Sequence, residues 1–267
     1  MTKQSKPDEI LYHVGLSRNM VEGAEYVLLP GDPGRVKPLA LAFDPQAKFL
    51  AVNREYTSYL ANFHGNKILI CSTGMGCPSV GIGIEELATI GLRYLLRVGT
   101  CGGIQSYTNL GDVVISSAAV RLEGTSSHYA PMEYPAVASI DFTNDMIAAA
   151  KKTKVPYHVG ITASSDTFWP GQERHDNFTG HILRRWIGSM EEWRYLNVLN
   201  FEMEASTLFV MSSIFGLQAA CICGVIAKRD QSEKVELDAK GLAQENWQKI
   251  AVEGIYASLK RRGLAKD

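Results

Sequence analysis

Short apolar runs alternate with longer helix-like segments along this chain, and this alternation restricts the possible folds more than any other feature of the sequence. Strands are predicted at six runs: Tyr26–Leu29, Lys67–Ser72, Tyr94–Val98, Asp112–Ala119, His158–Thr162 and Ala219–Ile226. Helices are predicted near four segments: Pro78–Thr89, Asp141–Thr153, Glu204–Phe215 and Leu237–Leu259. Because single helices separate the strands, we expect an α/β fold with a mixed or parallel sheet covered on both faces.

The 267 residues contain no internal repeat, low-complexity linker or break in composition. This length suffices for one large core, so a single domain spanning residues 1–267 is predicted. Residues 1–11 are expected to form a flexible N-terminal segment. Within it, Met1–Glu9 is polar and charged and lacks the apolar stretch of a signal peptide.

The overall composition excludes several classes of partner. With a formal net charge of −1, the chain has no need of nucleic acid or an anionic membrane as a partner. No apolar run approaches the roughly 20 residues required to cross a bilayer. The five cysteines are odd in number and lack the spacing of a zinc or redox motif, which favours reduced thiols and a cytoplasmic location.

Three of the predicted strands end in glycine-rich or charged segments, namely PGDPGR, RVGTCGG and VIAKRD. In open α/β sheets, ligands bind beyond the carboxyl ends of the strands. The three segments therefore predict one ligand site at this edge of the sheet.

The first two of these segments favour an oxyanion. Gly31 follows a strand directly, and Arg35 lies four residues later; glycine allows backbone N–H groups to approach an anion, and a guanidinium holds two of its oxygens. A simple tight turn is the alternative for PGDP. Arg97 lies in an apolar strand, so it either binds an anion together with Thr100 or forms a structural salt bridge. Since neither a Walker loop nor a complete dinucleotide fingerprint is present, free phosphate is predicted rather than ATP or NAD.

Two further segments suggest a sugar and a planar base. Glu202 and Glu204 share one face of an extended segment before a predicted helix, where an ionised carboxylate can accept hydrogen bonds from a ribose cis-diol. An ordinary acidic helix start is the alternative. Phe168 can stack on a base, while Gln172 and Arg174 offer the donors and acceptor that suit the O2–N3–O4 edge of uracil. A polar surface loop is the alternative there.

Six segments, in matching order, closely resemble the nucleoside phosphorylase family and in particular its bacterial uridine-cleaving branch: PGDPGR, CSTGMG, RVGTCGG, SSDTFWPGQER, GSMEEW and FEMEAS. The resemblance runs from about Tyr12 to the final helix. The SSDTFWPGQER segment is the most specific, because it is similar to a uracil-reading loop that purine-specific relatives lack. The resemblance implies a three-layer α/β sandwich around a mixed β-sheet, assembled as a homohexamer of dimers that share active sites.

The resemblance also implies a role for individual residues, some of them contributed by a neighbouring subunit. Phosphate would be held by Gly31, Arg35, Arg97, Thr100 and, from the neighbour, Arg54. Ribose would be held by Glu202, Met203, Glu204 and, at its 5′-hydroxyl, the neighbour's His13. Uracil would be bound by Phe168, Gln172, Arg174 and Ile226, with Arg229 assisting near O4. A monovalent cation, K⁺ or Na⁺, would lie at the dimer interface near Glu55, Met75 and Ser79.

The implied reaction is the reversible phosphorolysis of uridine, with deoxyuridine as a second substrate, to uracil and α-ribose 1-phosphate in pyrimidine salvage. Inorganic phosphate is then a co-substrate, and the chemistry requires no cofactor. Arg174, Gln172 and Arg229 would act catalytically by stabilising negative charge on the departing base. Three alternatives remain at this point: a purine phosphorylase, a hydrolytic nucleosidase and a nucleoside-binding protein without activity.

Two positions depart from the family pattern. Cys101 stands where these relatives carry threonine, and losing that hydroxyl removes a hydrogen bond worth on the order of 1 kcal/mol. Lys228, next to Arg229, is expected to alter the cover over the base. Both departures bear on substrate range and rate rather than on the class of reaction.

Overall fold

The computed structural model describes residues 4–232 and 234–265, so residues 1–3 of the predicted flexible segment lie outside the described part. The strands in this part are β1 Tyr26–Pro30, β2 Lys48–Asn53, β3 Tyr56–Phe63, β4 Asn66–Cys71, β5 Tyr94–Gly103, β6 Val113–Leu122, β7 Ala136–Val137, β8 Tyr157–Ser165, β9 Val198–Glu202 and β10 Gln218–Lys228. The α-helices are α1 Val36–Phe43, α2 Cys77–Thr89, α3 Ile140–Thr153, α4 Ser189–Tyr195, α5 Ala205–Phe215 and α6 Leu237–Arg261.

These strands form one mixed sheet that closes partly on itself. At its centre, β5 pairs in parallel with β1 and β10 and antiparallel with β9. Because β10 also pairs with β6, β6 with β8, and β8 with β9, five strands complete a ring. On the other side of β1, the strands β4, β3 and β2 extend the sheet as an open wing.

Helices cover both faces of the sheet, as the alternation of side chains along β1 requires. Val27 and Leu29 contribute to one hydrophobic cluster, which is completed by α2 and α5. Leu28 contributes to the opposite cluster, which is completed by α1, α3 and α6 and contains the fully buried Trp247. The predicted α/β sandwich with three layers in a single domain is confirmed.

All six predicted strands and all four predicted helices are present, with ends shifted by a few residues. The largest shift is in β5, which was expected to end at Val98 but continues through the glycines to Gly103, because β10 and β9 supply partners for this segment. Gly91 follows the end of α2 as predicted, with a left-handed φ of 117° that favours glycine.

Two absences hold for residues 4–232 and 234–265. No helix there combines the length and the apolar character that crossing a bilayer requires. All five cysteines are buried and free of disulfide bonds, which agrees with the predicted reduced thiols.

Candidate active site

A cavity of about 590 Å³ lies at the carboxyl ends of β1, β5 and β10. Residues from all three glycine-rich or charged segments line it, so the structure brings these segments together as the sequence predicts. The loop before α4 and the start of α5 complete its wall. The predicted site residues that line the cavity are Gly31, Glu55, Met75, Arg35, Arg97, Thr100, Phe168, Gln172, Arg174, Glu202, Met203, Glu204 and Ile226.

Gly31 is required by a close approach of two loops. A Cβ atom at this position would lie 2.9 Å from the carbonyl oxygen of Gly74. This distance is shorter than the contacts that Cβ atoms make with oxygen atoms in proteins, so a side chain here would push the two loops apart. Gly74 itself has a φ of 71°, in the left-handed region that favours glycine. Both loops line the cavity, so these two glycines let the backbone itself form one end of it.

Arg35 is buried at this end with donors to spare. A short 3₁₀ turn, Pro33–Arg35, carries it, and the side chain of Asp32 caps this turn by accepting from Gly34 N at 2.8 Å. Burial lowers the pKa of Arg35; Asp32 opposes this effect and the positive charge of Arg97 adds to it. Its Nε is buried without a hydrogen-bond partner among the described residues. An anion entering here would satisfy it.

Arg97 lies between two buried carboxylates. Its Nε donates to Glu202 Oε2 at 2.8 Å, and its Nη2 pairs with Glu204 Oε2. Burial alone would lower the pKa of Arg97, but the Glu204 carboxylate and its neighbours outweigh burial and raise it. The structural salt bridge, one of the two interpretations of Arg97 from the sequence, is confirmed. Arg97 also lines the cavity, and its binding of an anion together with Thr100 stays a prediction.

The two glutamates have different surroundings, which the sequence does not distinguish. The Glu202 side chain is 0% exposed, and its oxygens accept from the backbone N–H groups of Glu204 and Ala205 and from Ser164 Oγ as well as from Arg97. Glu202 therefore anchors the start of α5. Glu204 accepts from Gly76 N at 2.7 Å and pairs with Arg97, and the backbone of Met203 also contributes a hydrogen bond. Burial raises the pKa of Glu204 while Arg97 opposes that rise, so Glu204 is the carboxylate with capacity for a sugar diol.

The far end of the cavity is aromatic and rich in donors. The guanidinium carbon of Arg174 lies 4.2 Å from the centroid of the Phe168 ring, a cation–π contact. Gln172 and Arg174 are both buried. The pairing of β10 with β5 shifts register between Val225 and Ala227. A β-bulge of this kind redirects a side chain, and Ile226, which lies at the bulge, lines the cavity.

Arg229 does not line the cavity but supports it. Its Nη2 donates to the backbone oxygen of Gln172 at 2.9 Å, and its guanidinium carbon lies 6.0 Å from the centroid of the Phe201 ring. Phe201, Asp32 and Val235 also line the cavity, although the sequence does not predict them as site residues. Asp32 lies within the PGDPGR segment, which was the available signal for it.

His13 and Arg54 lie outside the cavity and share one surface. Asn53 Nδ2 donates to the carbonyls of Tyr12 and His13, while Arg54 Nη2 donates to Tyr12 Oη at 3.2 Å. His13 Nδ1 lies 2.7 Å from Glu86 Oε1, which directs the other ring nitrogen outward. Neither residue serves the cavity of its own chain, and their contribution to a neighbouring subunit stays a prediction.

Two of the three residues predicted for a monovalent cation, Glu55 and Ser79, contact each other, whereas Met75 is exposed. Ser79 Oγ donates to Glu55 Oε1 at 2.6 Å and also contacts the carbonyl oxygen of Thr73. That hydrogen bond from Ser79 lowers the pKa of Glu55, so the carboxylate is ionised. Gly74 completes the cradle, since a Cβ atom there would lie 2.9 Å from Glu55 Cγ. Oxygen donors of this kind fit a hard alkali cation.

Cys101 and Lys228, the two residues that depart from the family pattern, have different surroundings. Cys101 lines the cavity, but its Sγ lies 3.7 Å from the carbonyl oxygen of Cys223, and burial raises the pKa of its thiol. Lys228 Nζ donates to the carbonyls of Ser106 and Thr108, at 2.8 and 2.9 Å. Its ammonium thus ties the end of β10 to the loop of Ser106 and Thr108 and lies 3.5 Å from Asp230 Oδ1; an effect of Lys228 on the cover over the base stays a prediction.

Comparison with known proteins places this arrangement in context. The family described as Phosphorylase superfamily matches residues 25–256. A uridine phosphorylase from Salmonella typhimurium is 47% identical over 249 residues, which cover 93% of this chain and 97% of that protein. A uridine phosphorylase from Escherichia coli K12 is 45% identical over the same shares. A guanosine phosphorylase from Halorubrum lacusprofundi is 38% identical over 201 residues, or 75% of this chain and 77% of that protein.

Proposed function

Because the chain belongs to the phosphorylase superfamily, we propose that it is a pentosyltransferase that transfers the ribosyl group of uridine to inorganic phosphate. The products are uracil and α-ribose 1-phosphate, and deoxyuridine is a second substrate. The relatives named uridine phosphorylase, at 45 and 47% identity over 93% of the chain, support this assignment. One observation carries it: the buried guanidinium groups of Arg35 and Arg97 line the same cavity as the buried Gln172–Arg174 pair.

The base end supplies the driving force for bond cleavage. As the C1′–N1 bond breaks, its electron pair moves onto uracil, whose oxygens become acceptors of greater strength. Donors from Arg174 and the Gln172 amide are already oriented and dehydrated, so they stabilise this charge without reorganisation. Uracil then takes up at N1 the proton that the monohydrogen phosphate gives up.

The opposite end holds the nucleophile and the sugar. Phosphate binds between Arg35 and Arg97 and the backbone near Gly31, where two guanidinium groups neutralise its charge. Glu204 exchanges its contact with Arg97 for the ribose diol, and the Met203 backbone lies beside it. A phosphate oxygen then bonds to C1′ as the base departs, and the fixed geometry makes this attack effectively intramolecular.

A second copy of the chain completes the site. His13 would reach the 5′-hydroxyl and Arg54 the phosphate of a neighbouring subunit, since neither reaches its own cavity. This requirement supports a homohexamer built from dimers that share active sites. An alkali cation, K⁺ or Na⁺, is expected beside Glu55 and Ser79 as a structural element of that interface, and no step of the reaction passes through it. The buried free cysteines support a cytoplasmic location.

The competing activities make different demands on the same cavity. A hydrolytic nucleosidase has no use for the Arg35–Arg97 pair as an anion clamp. A guanosine phosphorylase, the printed activity of one relative, has no use for the pairing of Gln172 with Arg174 on a pyrimidine edge. A nucleoside-binding protein without activity needs the base-binding pair but not the Arg35–Arg97 pair.

Initial rates of base release against phosphate concentration test the proposal. We expect uridine to be cleaved only with phosphate, at a rate that saturates with it, and guanosine to be a poor substrate. Release of uracil at the same rate without phosphate would indicate a hydrolase. Uridine binding by calorimetry with no turnover at any phosphate concentration would indicate a binding protein.

A further inference from the structure

Glu173 lies between the two base-reading residues but faces away from the cavity. It adopts a left-handed φ of 51°, an uncommon conformation for a residue with a side chain. This turn lets Gln172 and Arg174 line the cavity while the buried carboxylate of Glu173 points toward α4. A strained residue at this position calls for an explanation in terms of function.

The carboxylate of Glu173 is fully engaged at the start of α4. Its two oxygens accept from the backbone N–H groups of Gly188 and of Met190, the latter at 2.6 Å. The hydroxyl of Ser189 lies 3.4 Å from Oε2. A carboxylate that accepts several N–H bonds at the beginning of a helix forms one of the stronger attachments available to a loop.

The other end of α4 returns to the same site. Arg194 donates from Nε to the carbonyl of Ile104 at 2.7 Å and from Nη2 to the carbonyl of Arg229 at 2.9 Å. Arg229 in turn donates from Nη2 to the carbonyl of Gln172 at 2.9 Å. A closed circuit of contacts therefore runs from Gln172 through Glu173, α4, Arg194 and Arg229 back to Gln172.

We propose that Glu173 is a positioning residue that, through α4 and Arg194, fixes Gln172 and Arg174 relative to Arg229 around the departing base. The circuit has no member that reaches the phosphate end of the cavity, so its effect is confined to the base. This inference rests on the proposed function. Under it, Glu173 and Arg194 influence how well the departing base is stabilised, although neither residue touches the substrate.

Substitutions at Glu173 test the proposal. We expect Glu173→Ala to lower kcat/KM for uridine by about 10- to 100-fold, the scale of loss that follows from misplaced catalytic groups, with the KM for phosphate unchanged. The loss should be smaller for 5-fluorouridine, because its base departs as a more stable anion and depends less on the donors. A general loss of structure would affect both nucleosides equally.

Two further variants separate the carboxylate from the backbone. Glu173→Gly accommodates the left-handed conformation but removes the carboxylate, so it should be as impaired as Glu173→Ala; wild-type rates for it would overturn the proposal. Glu173→Gln keeps one acceptor and should fall between Glu173→Ala and the wild type.

Arg194→Met tests the circuit from its other end. It should reproduce the uridine-selective loss, and the double variant with Glu173→Ala should lose no more than the stronger single variant. Should Glu173→Ala fail to fold by circular dichroism, Glu173→Gln and Arg194→Met carry the test. Glu191→Gln, an exposed charge in the first turn of α4, is the matched control and should behave as wild type.

Failure of the positioning role and failure of the proposed function give different results. A wild-type protein that does not cleave uridine with phosphate refutes the function itself. An active wild type whose folded Glu173 and Arg194 variants keep full activity, or lose uridine and 5-fluorouridine cleavage equally, overturns the positioning role alone.

Discussion

At the scale of single residues, the arrangement around Arg97 explains how one side chain serves both stability and binding. Glu202 and Glu204 are buried on either side of it. Without the guanidinium, two carboxylates would face each other in a dehydrated site, which is strongly unfavourable. The two carboxylates therefore fix in place the guanidinium that is proposed to bind phosphate.

Arg97→Met should destabilise the fold as well as abolish activity. We expect the free energy of unfolding to fall by about 3–5 kcal/mol, the usual result of removing one partner from a buried ion pair. Urea denaturation of the wild type and the variant measures this change. An unaltered midpoint would show that Glu202 and Glu204 do not depend on Arg97 for their charge.

Arg174→Ala should affect the base end alone. Loss of one preorganised donor lowers kcat by about 100- to 1000-fold in comparable sites, and we expect a loss of that size for uridine. Phosphate binding, followed by calorimetry, should stay close to the wild-type value because Arg174 lies at the opposite end of the cavity. Unchanged uridine turnover would remove Arg174 from the site.

The sequence predicts most of the cavity's lining residues but not their division of labour. Glu202 and Glu204 look alike in FEMEAS, and only the hydrogen bonds to α5 separate an anchor from a binding group. Glu173 gives no signal of its own, because its partners at Gly188 and Met190 lie in a segment that carries no strong helix pattern. Contacts between distant segments decide both cases.

At the scale of elements, the site depends on two loops that meet at the carboxyl ends of β1 and β4. Their contact is possible only because Gly31 has no side chain, as its hypothetical Cβ would lie 2.9 Å from the carbonyl oxygen of Gly74. That oxygen belongs to the backbone, which cannot rotate away as a side chain can. The phosphate end is therefore sensitive to small displacements here.

Gly31→Ala should raise the KM for phosphate. Overpacking of this kind costs about 1–3 kcal/mol, which we expect as weaker phosphate binding with the KM for uridine less affected. Gly241→Ala is the matched control, because it lies in α6 with no heavy atom within 4 Å of the added Cβ. Equal phosphate constants for Gly31→Ala and the wild type would contradict this account of the loop.

Two of the strands that were not predicted, β2 and β9, share a physical cause, since both are defined by pairing rather than by their own pattern. β2 has a largely exposed burial pattern and is held by pairing with β3. β9 carries Asn200 and Glu202 within an otherwise apolar run, so the sequence predicts only an extended segment; pairing with β8 and β5 makes it a strand. The closure of the ring depends on β9 and could not be predicted.

At the scale of the whole molecule, His13 and Arg54 are the two residues proposed to serve the site of a neighbouring subunit. The surface of His13 and Arg54 is ordered by Asn53 and Glu86, yet it lies outside the chain's own cavity. Glu86 holds the His13 ring through Nδ1, and a fixed ring orientation is what the proposed contact with a neighbour's substrate requires.

Mixing two inactive variants tests this sharing. Arg54→Ala removes a residue given to the neighbour, and Arg174→Ala removes one from the chain's own cavity. If sites are shared, subunits exchanged between the two variants create some sites with both residues intact, and activity returns. Wild-type protein treated in the same way controls for losses during exchange, and no recovery would mean that each chain acts alone.

The central claim is that Arg35 and Arg97 hold a phosphate that takes the sugar from uridine. Phosphorus NMR of a reaction containing uridine and inorganic phosphate tests it most directly, because it identifies where the ribosyl group goes. We predict a sugar 1-phosphate resonance that grows in a one-to-one ratio with released uracil. Uracil accompanied by free ribose, with the phosphate resonance unchanged, would contradict the claim.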